Sequence, residues 1–551
     1  MRIPSGNLDD FAAELIEKCL ITRKDRVPVY GGFKHYYLFG AQEGEQAPYN
    51  KISPHMDLLS AYLYSESTVE LDVSVFNKPA PVFKQAELIS KRANIYLHDC
   101  GIAHLFSNAL KWSLVFNSTL VKLLWRRGRI EPYMIEPHNF GVMREDVTDL
   151  NRQEAFVHCY RISESELRRR INGLPNAAQL LEKIVTTPSE SIDAFPEPIN
   201  RMIIAGAVNM ASSTTRGFVN VPDLIGSMAY RPRSAEDTAE MYELWVWDDA
   251  TDDWRTITVA EPGLVLYDGR TIGNLLGIKG CQPFVHICPN PIYDYFYGWS
   301  EVANLIRLQD WLTIRLREIR QILSKQANPP KYLAGFTGIP DEKIAALSDP
   351  GAWISEPNPS AKVDTLAPDL PNDLFQEFLL IQDMFNDESG LSDVLQGKGE
   401  TGVRAKGHAD ILARLGSARI KQRALAIEQT ISDMGRLIVE IMRAKDTTRY
   451  QMEGGDPFVA SQFTGDFRVQ VDAHSASPVF MEEADQKAFA LAKMGAIDPD
   501  SLLELVKPPK VDTLRQRYKE LEAKRAAQAQ AMAAMGVQPG SKGGGLKAVG
   551  G

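Results

Sequence analysis

The chain has 551 residues, 44% hydrophobic and 24% charged, the balance of a folded globular protein long enough for several domains. Its 61 Lys and Arg against 71 Asp and Glu give a net charge of −10. That charge excludes a protein whose whole surface grips nucleic acid, because neutralising phosphates needs a basic footprint.

Taken in order, Asn7 to Leu20 predicts an amphipathic helix, with Leu8, Phe11, Leu15 and Ile16 on one side. The opening residues carry no apolar signal region. Gly31-Gly32 and Gly40 to Pro48 read as loops, and Met56 to Tyr64, Pro81 to His98 and Ile102 to Phe116 as helices. Thr119 to Trp125 and Ile130 to Ile135 predict two strands around the turn Arg126-Arg-Gly-Arg129. Ala155 to Tyr160 is a further strand, and Ser163-Glu-Ser-Glu166 is a capping box opening a helix that ends near Ile171. Arg168-Arg169-Arg170 reads first as a solvated helix face and second as a nucleic-acid patch. Leu174 to Thr238 carries no clear pattern. Glu240 to Val259 is a hairpin turning at Asp248 to Asp253, and Pro262 to His286 continues its sheet.

The centre of the chain carries the strongest periodicity. From Ser300, a good N-cap, Val302, Leu305, Gln309, Leu312, Leu316, Ile319 and Leu323 step by three and four. Such a narrow seam is what a helix shows to another helix. Arg307, Asp310, Arg317, Arg320 and Lys325 lie opposite, and Asn328-Pro329-Pro330 ends the run. Strand-like Lys331 to Ala334, which holds Tyr332, and Gly351 to Ile354, which holds Trp353, follow. Pro371 to Glu388 returns as a helix, the Gly-rich stretch Gly390 to Gly402 follows it, and a third seam runs from Ile420 through Ile427, Ile431 and Ile438 to Ile441. Phe467 to Val471 alternates as a strand. Met481 to Met494, Pro499 to Leu505 and Val511 to Met535 read as helices, and Gly536 to Gly551 as a flexible tail.

No constellation supports catalysis, a cofactor or a metal. Gly397-Lys398-Gly399 has the wrong spacing for a phosphate loop and lacks the Ser or Thr that holds magnesium. Cys281, His286 and Cys288 match no zinc pattern, and the hairpin aspartates have no third ligand source. His98, Asp99, Cys100 and His104 sit at a helix junction without oxyanion donors. The five cysteines, which include Cys19 and Cys159, read as reduced thiols. No apolar run is long enough to span a bilayer. One charge feature stands out: Lys398, Arg404, Lys406, Arg414, Arg419, Lys421 and Arg423 face only Glu400 and Asp410.

This order of elements resembles the portal protein of tailed bacteriophages, with Tyr297-Gly298-Trp299-Ser300-Glu301-Val302, Leu308-Gln309 and Asn328-Pro329-Pro330 resembling its run into and out of the stem. The resemblance implies a mainly helical α+β subunit that catalyses nothing and assembles into a ring, twelve copies in the virion. It places a wing in residues 1–298, stem helices in 299–328 and 371–389, a clip in 329–370 and a channel loop in 390–405. A long wing helix and closing strand occupy 406–475, a helical crown 476–535 and a tail 536–551. On that reading Lys398, Arg404 and Lys406 touch double-stranded DNA in the channel, Leu305, Leu312, Leu316 and Ile319 join subunits, and Tyr332 and Trp353 dock the motor or an adaptor. The implied partners are the terminase large subunit, head-completion and tail proteins, and the major capsid and scaffolding proteins, in a virion assembled in the host cytoplasm. A phage nuclease or phosphotransferase with a helical core, or a collar or adaptor ring, is the alternative.

Overall fold

A computed structural model describes the chain apart from its first residues, some loop positions, the stretches 188–236, 270–275, 335–357, 366–371, 390–405 and 472–487, and most of 495–551. It divides into two units, Met1–Ser477 and Pro478–Gly551. In the smaller one, residues 488–493 are helical.

The larger unit mixes helices and antiparallel sheets. Its helices are α1 (Leu8–Cys19), α2 (Arg23–Phe39), α3 (Ile52–Leu63), α4 (Ala80–Asp99), α5 (Ile102–Phe116), α6 (Glu164–Ile171) and α7 (Ala177–Lys183). Three long ones follow, α8 (Glu301–Ala327), α9 (Asn372–Ser389) and α10 (Lys406–Lys445). The strands β1 (Leu71–Val75), β2 (Thr119–Arg126), β3 (Arg129–Ile135), β4 (Phe140–Val142), β5 (Ala155–Ser163), β6 (Thr186–Thr187), β7 (Thr238–Asp248) and β8 (Asp253–Ala260) come before α8. So do β9 (Leu264–Asp268) and β10 (Phe284–Ile287); β11 (Lys331–Ala334), β12 (Lys362–Thr365), β13 (Arg449–Tyr450), β14 (Phe458–Val459) and β15 (Phe467–Val471) come later.

The largest sheet runs β4-β5-β7-β8-β9, with β6 on the start of β7. Alternation makes one of its faces apolar, and α1 covers it with Ala12, Leu15, Ile16 and Cys19 against Val157, Leu244, Val246 and Ile257. The other face meets a second sheet, β10-β2-β3, across Phe140, Phe156, Trp245, Trp254 and Phe284. The β2–β3 hairpin and the β7–β8 hairpin are where the sequence places them. The segment after the second hairpin splits, β9 continuing that sheet while β10 pairs with β2 in the other.

Helix α2 and strand β1 are among the elements that escaped the sequence. Helix α2 contains Pro28, Gly31 and Gly32, each a poor helix residue, and the glycine pair reads as a loop. Burial of Tyr30, Tyr36 and Tyr37 outweighs those local costs, and Gly40 at φ 66° closes the helix. Strand β1 pairs with β15 across the chain, Leu71 opposite Val471. Helix α10 lies on this pair so closely that a Cβ on Gly435 would sit 2.7 Å from Val469 Cγ1 and 2.8 Å from Leu71 Cδ2.

Candidate functional site

The long helices α8, α9 and α10 meet where α8 leaves the sheets. The chain turns at Gly298, φ 71°, and the Ser300 hydroxyl donates to the Val115 carbonyl at 2.5 Å, tying the helix start to α5. Glu301 is 1% exposed, and its carboxylate accepts from Arg423 of α10 at 2.9 and 3.1 Å and from Asn290 at 3.0 Å. Burial pushes this carboxyl above its ordinary range in spite of the neighbouring guanidinium. Arg423, one of the seven cations in the basic run, is therefore spent on holding α8 to α10.

About two turns further on, the Gln309 side chain accepts from the Lys51 backbone at 3.0 Å and donates to the Tyr49 carbonyl at 2.8 Å. Lys51 Nζ reaches across to α9, donating to the Gln382 carbonyl at 3.0 Å and Asn386 Oδ1 at 3.2 Å. His55 stacks edge-on to Phe385, ring centroids 5.7 Å apart, and burial, with the charges of Lys51 and Arg423, lowers its pKa to about 4. Further along, Arg315 pairs with Glu377 at 2.9 Å. The bridge from Gln309 through Lys51 to Asn386, and the Arg315–Glu377 pair, make α8 and α9 an antiparallel pair.

The seam is buried inside the protomer. Leu305 and Leu312 have no exposed surface, Ile319 is buried and Leu316 half-buried. A side chain with no surface has none to give a second copy, so the sequence expectation that Leu305 and Leu312 join subunits is corrected: they hold the protomer together. The outer faces differ. On α8, Trp311 is 53% and Ile314 48% exposed, among exposed Arg307, Arg317, Arg320 and Lys325. On α9, Leu379 is 58% and Leu380 53% exposed, with Phe375 and Met384 beside them and exposed Asp373, Asp383 and Asp387 around them. One helix thus offers an apolar strip with basic borders, the other an apolar strip with acidic borders. The signal was present as Leu379-Leu380 and Trp311 off the seam, residues that a search for one buried face passes over.

Lys398, Arg404 and Trp353 lie outside the described residues, as do the side chains of Lys406, the first residue of α10, and of Tyr332, which stands on β11 opposite Asp364. The Cys281 and Cys288 thiols are pushed up by burial to about 11 and about 12, and His286 stacks on Phe296 at 4.2 Å. Among the described residues no group of carboxylates, histidines and cysteines could hold a metal ion, and no helix is long and apolar enough to cross a membrane.

The sequence model of the phage SU10 portal protein family matches residues 114–522, and the chain belongs to that family, a structural one whose members are virion components. Among solved structures, a chain of the virion of a native gene transfer agent particle is similar, at 10% identity and a TM-score of 0.41, over 89% of this chain and 99% of that one. No curated protein matches.

Proposed function

We propose that copies of the chain form a ring at a capsid vertex through which double-stranded DNA is packaged, retained and ejected. The observation that carries this reading is the pair of complementary outer faces. A closed ring needs heterologous contacts, in which one patch meets a different patch on the next copy. The basic-bordered strip of α8 and the acidic-bordered strip of α9 are such a pair, since opposite charge fixes register while apolar area supplies affinity. Twelve helices at about 10 Å spacing enclose a circumference of about 120 Å, which leaves a bore of roughly 28 Å, wide enough for one duplex. The β11–β12 segment between α8 and α9 would dock the terminase motor and later the head-completion proteins, with Tyr332 and Trp353 as aromatic anchors.

Two tests separate the parts of this reading. Trp311→Asp and Leu379→Asp each put an unpaired carboxylate into the contact between copies, at a cost of several kcal/mol per contact. Native mass spectrometry is expected to find monomers, whose far-UV circular dichroism matches the parent's, whereas the parent gives rings. Rings of normal size from both variants overturn the assignment of these faces. The stretch 390–405, with Gly390, Gly397, Gly399 and Gly402 around Lys398, is proposed to touch phosphates weakly, so that DNA slides yet is held at rest. Deleting Leu395 to Gly402 is expected to leave rings intact and let packaged DNA leak, read as the DNA content of particles after packaging. Heads that keep their genome reduce the stretch to a connector.

A further inference from the structure

Six exposed arginines from two separate elements share one surface. Arg126, Arg127 and Arg129 form the β2–β3 turn, where Arg127 stands at φ 51° beside Gly128 at φ 78°. Arg168, Arg169 and Arg170 form the outer side of α6. The pairing of the two sheets brings these elements together: Lys122 of β2 lies on Glu243 of β7, which is opposite His158 of β5. Two residues further along β5 stands Tyr160, whose hydroxyl accepts from Arg170 at 3.1 Å and whose electrostatic surroundings include Arg126.

The arginines are braced. Arg170 lies over the Tyr160 ring at 5.8 Å, and Arg126 over the Tyr133 ring at 5.9 Å. Glu164 holds Arg168 at 2.5 Å, and Glu166 pairs with both Arg169 and Arg170. Exposed pairs of this kind contribute little stability, but they fix the stems and leave other N–H groups outward. Arg127 has no partner among the described residues, and the Arg169 side chain is 76% exposed. Among the described residues the carboxylates paired with these six arginines are Glu131, Glu164 and Glu166, so positive charge is in excess here on a chain that totals −10.

We propose that this surface, formed by the β2–β3 turn and α6, binds the phosphodiester backbone of double-stranded DNA independently of any channel. Guanidinium forks match phosphate oxygens in a way a point charge does not, and rings beneath them limit the entropy lost on contact. Exposed guanidinium forks spread over two elements suit a long polyanion rather than a small anion. Nothing on it reads base edges, so binding is indifferent to sequence and steeply dependent on salt. The identity of the polyanion rests on the family assignment, since nucleic acid is what a virion encloses. It does not rest on the ring reading.

The test uses the assembled full-length protein and covalently closed circular duplex DNA, which cannot thread a preformed ring, in filter binding across a salt series. The parent is expected to retain the circle. The triple variant Arg127→Asn, Arg129→Gln, Arg169→Gln, with Asn chosen because it tolerates positive φ, is expected to bind about tenfold more weakly or worse, with a log–log salt slope shallower by about three. The corresponding triple lysine variant keeps the charges, so it should keep the parent's salt slope and bind more tightly than the neutral variant, which a loss of folding in this region would not allow. Unchanged binding and slope in the neutral variant overturn the proposal. So does a parent that binds linear duplex but not the circle, a result that leaves the channel reading standing.

Discussion

Replacing Lys122 by Met is expected to destabilise the sheet body by about 3–5 kcal/mol. Lys122 and Glu243 are 4% and 5% exposed, and Lys122 Nζ lies 2.6 and 2.7 Å from the two carboxylate oxygens. Trp245 Nε1 donates to the same carboxylate at 2.8 Å. Burial alone would raise the Glu243 carboxyl; Lys122, His158 and these hydrogen bonds outweigh it and hold the group below its ordinary range. Burial also pulls the Lys122 ammonium down, but two such short contacts keep the pair ionised. Removing one partner leaves an uncompensated charge between two sheets, which costs more than the pair itself contributes.

Urea unfolding followed by tryptophan fluorescence measures the effect, because Trp245 and Trp254 stand in that interface. The double variant Lys122→Met, Glu243→Leu should recover most of the loss. The sign of the pH dependence follows from the lowered Glu243 value. Its contribution is present above the ordinary carboxylate range and is lost as pH falls through the folded pKa, so parent and Lys122→Met converge in acid. A single variant within about 1 kcal/mol of the parent at neutral pH overturns the account.

What could be read from the sequence follows the range of the interactions. The seams of α8 and α10 were legible because helix packing writes a three-and-four period into consecutive residues. Both hairpins were legible because their pairing is local. The β1–β15 pair was not, since five residues of alternation near Leu71 have no visible partner until Val471 is brought beside them. Helix α2 was hidden because Pro28, Gly31 and Gly32 argue locally against it and only the burial of its tyrosines argues for it. Charge counting failed in an instructive way. Arg423 counted toward a basic run, yet its guanidinium lies on the buried Glu301 carboxylate. Arg126 and Arg170 lie too far apart in sequence to be counted together, yet Arg170 donates to Tyr160 and Arg126 is close enough to act on the same phenol electrostatically.

Gly298→Ala is expected to remove about 2–6 kcal/mol, a sum of backbone strain and overpacking of about 1–3 kcal/mol each. Gly298 has φ 71°, which side-chain-bearing residues rarely adopt. A Cβ there would lie 2.3 Å from Cys288 Sγ and 2.8 Å from the Asn290 carbonyl oxygen. Besides the Cys288 thiol, the neighbour that would have to move is backbone, and it belongs to a joint: the Asn290 carbonyl accepts from the Trp299 amide at 3.0 Å, and the Asn290 side chain donates to Glu301. Displacing Asn290 therefore loosens the carboxylate that ties α8 to α10. The direction in which α8 leaves the sheets is set by this close approach, so the variant should lower the denaturant midpoint and also reduce ring yield. Gly101→Ala is the control, because Gly101 has φ 70° with nothing within 4 Å of its Cβ position and carries only the backbone strain. If Gly298→Ala costs no more than Gly101→Ala, the contact with Asn290 does not position the helix.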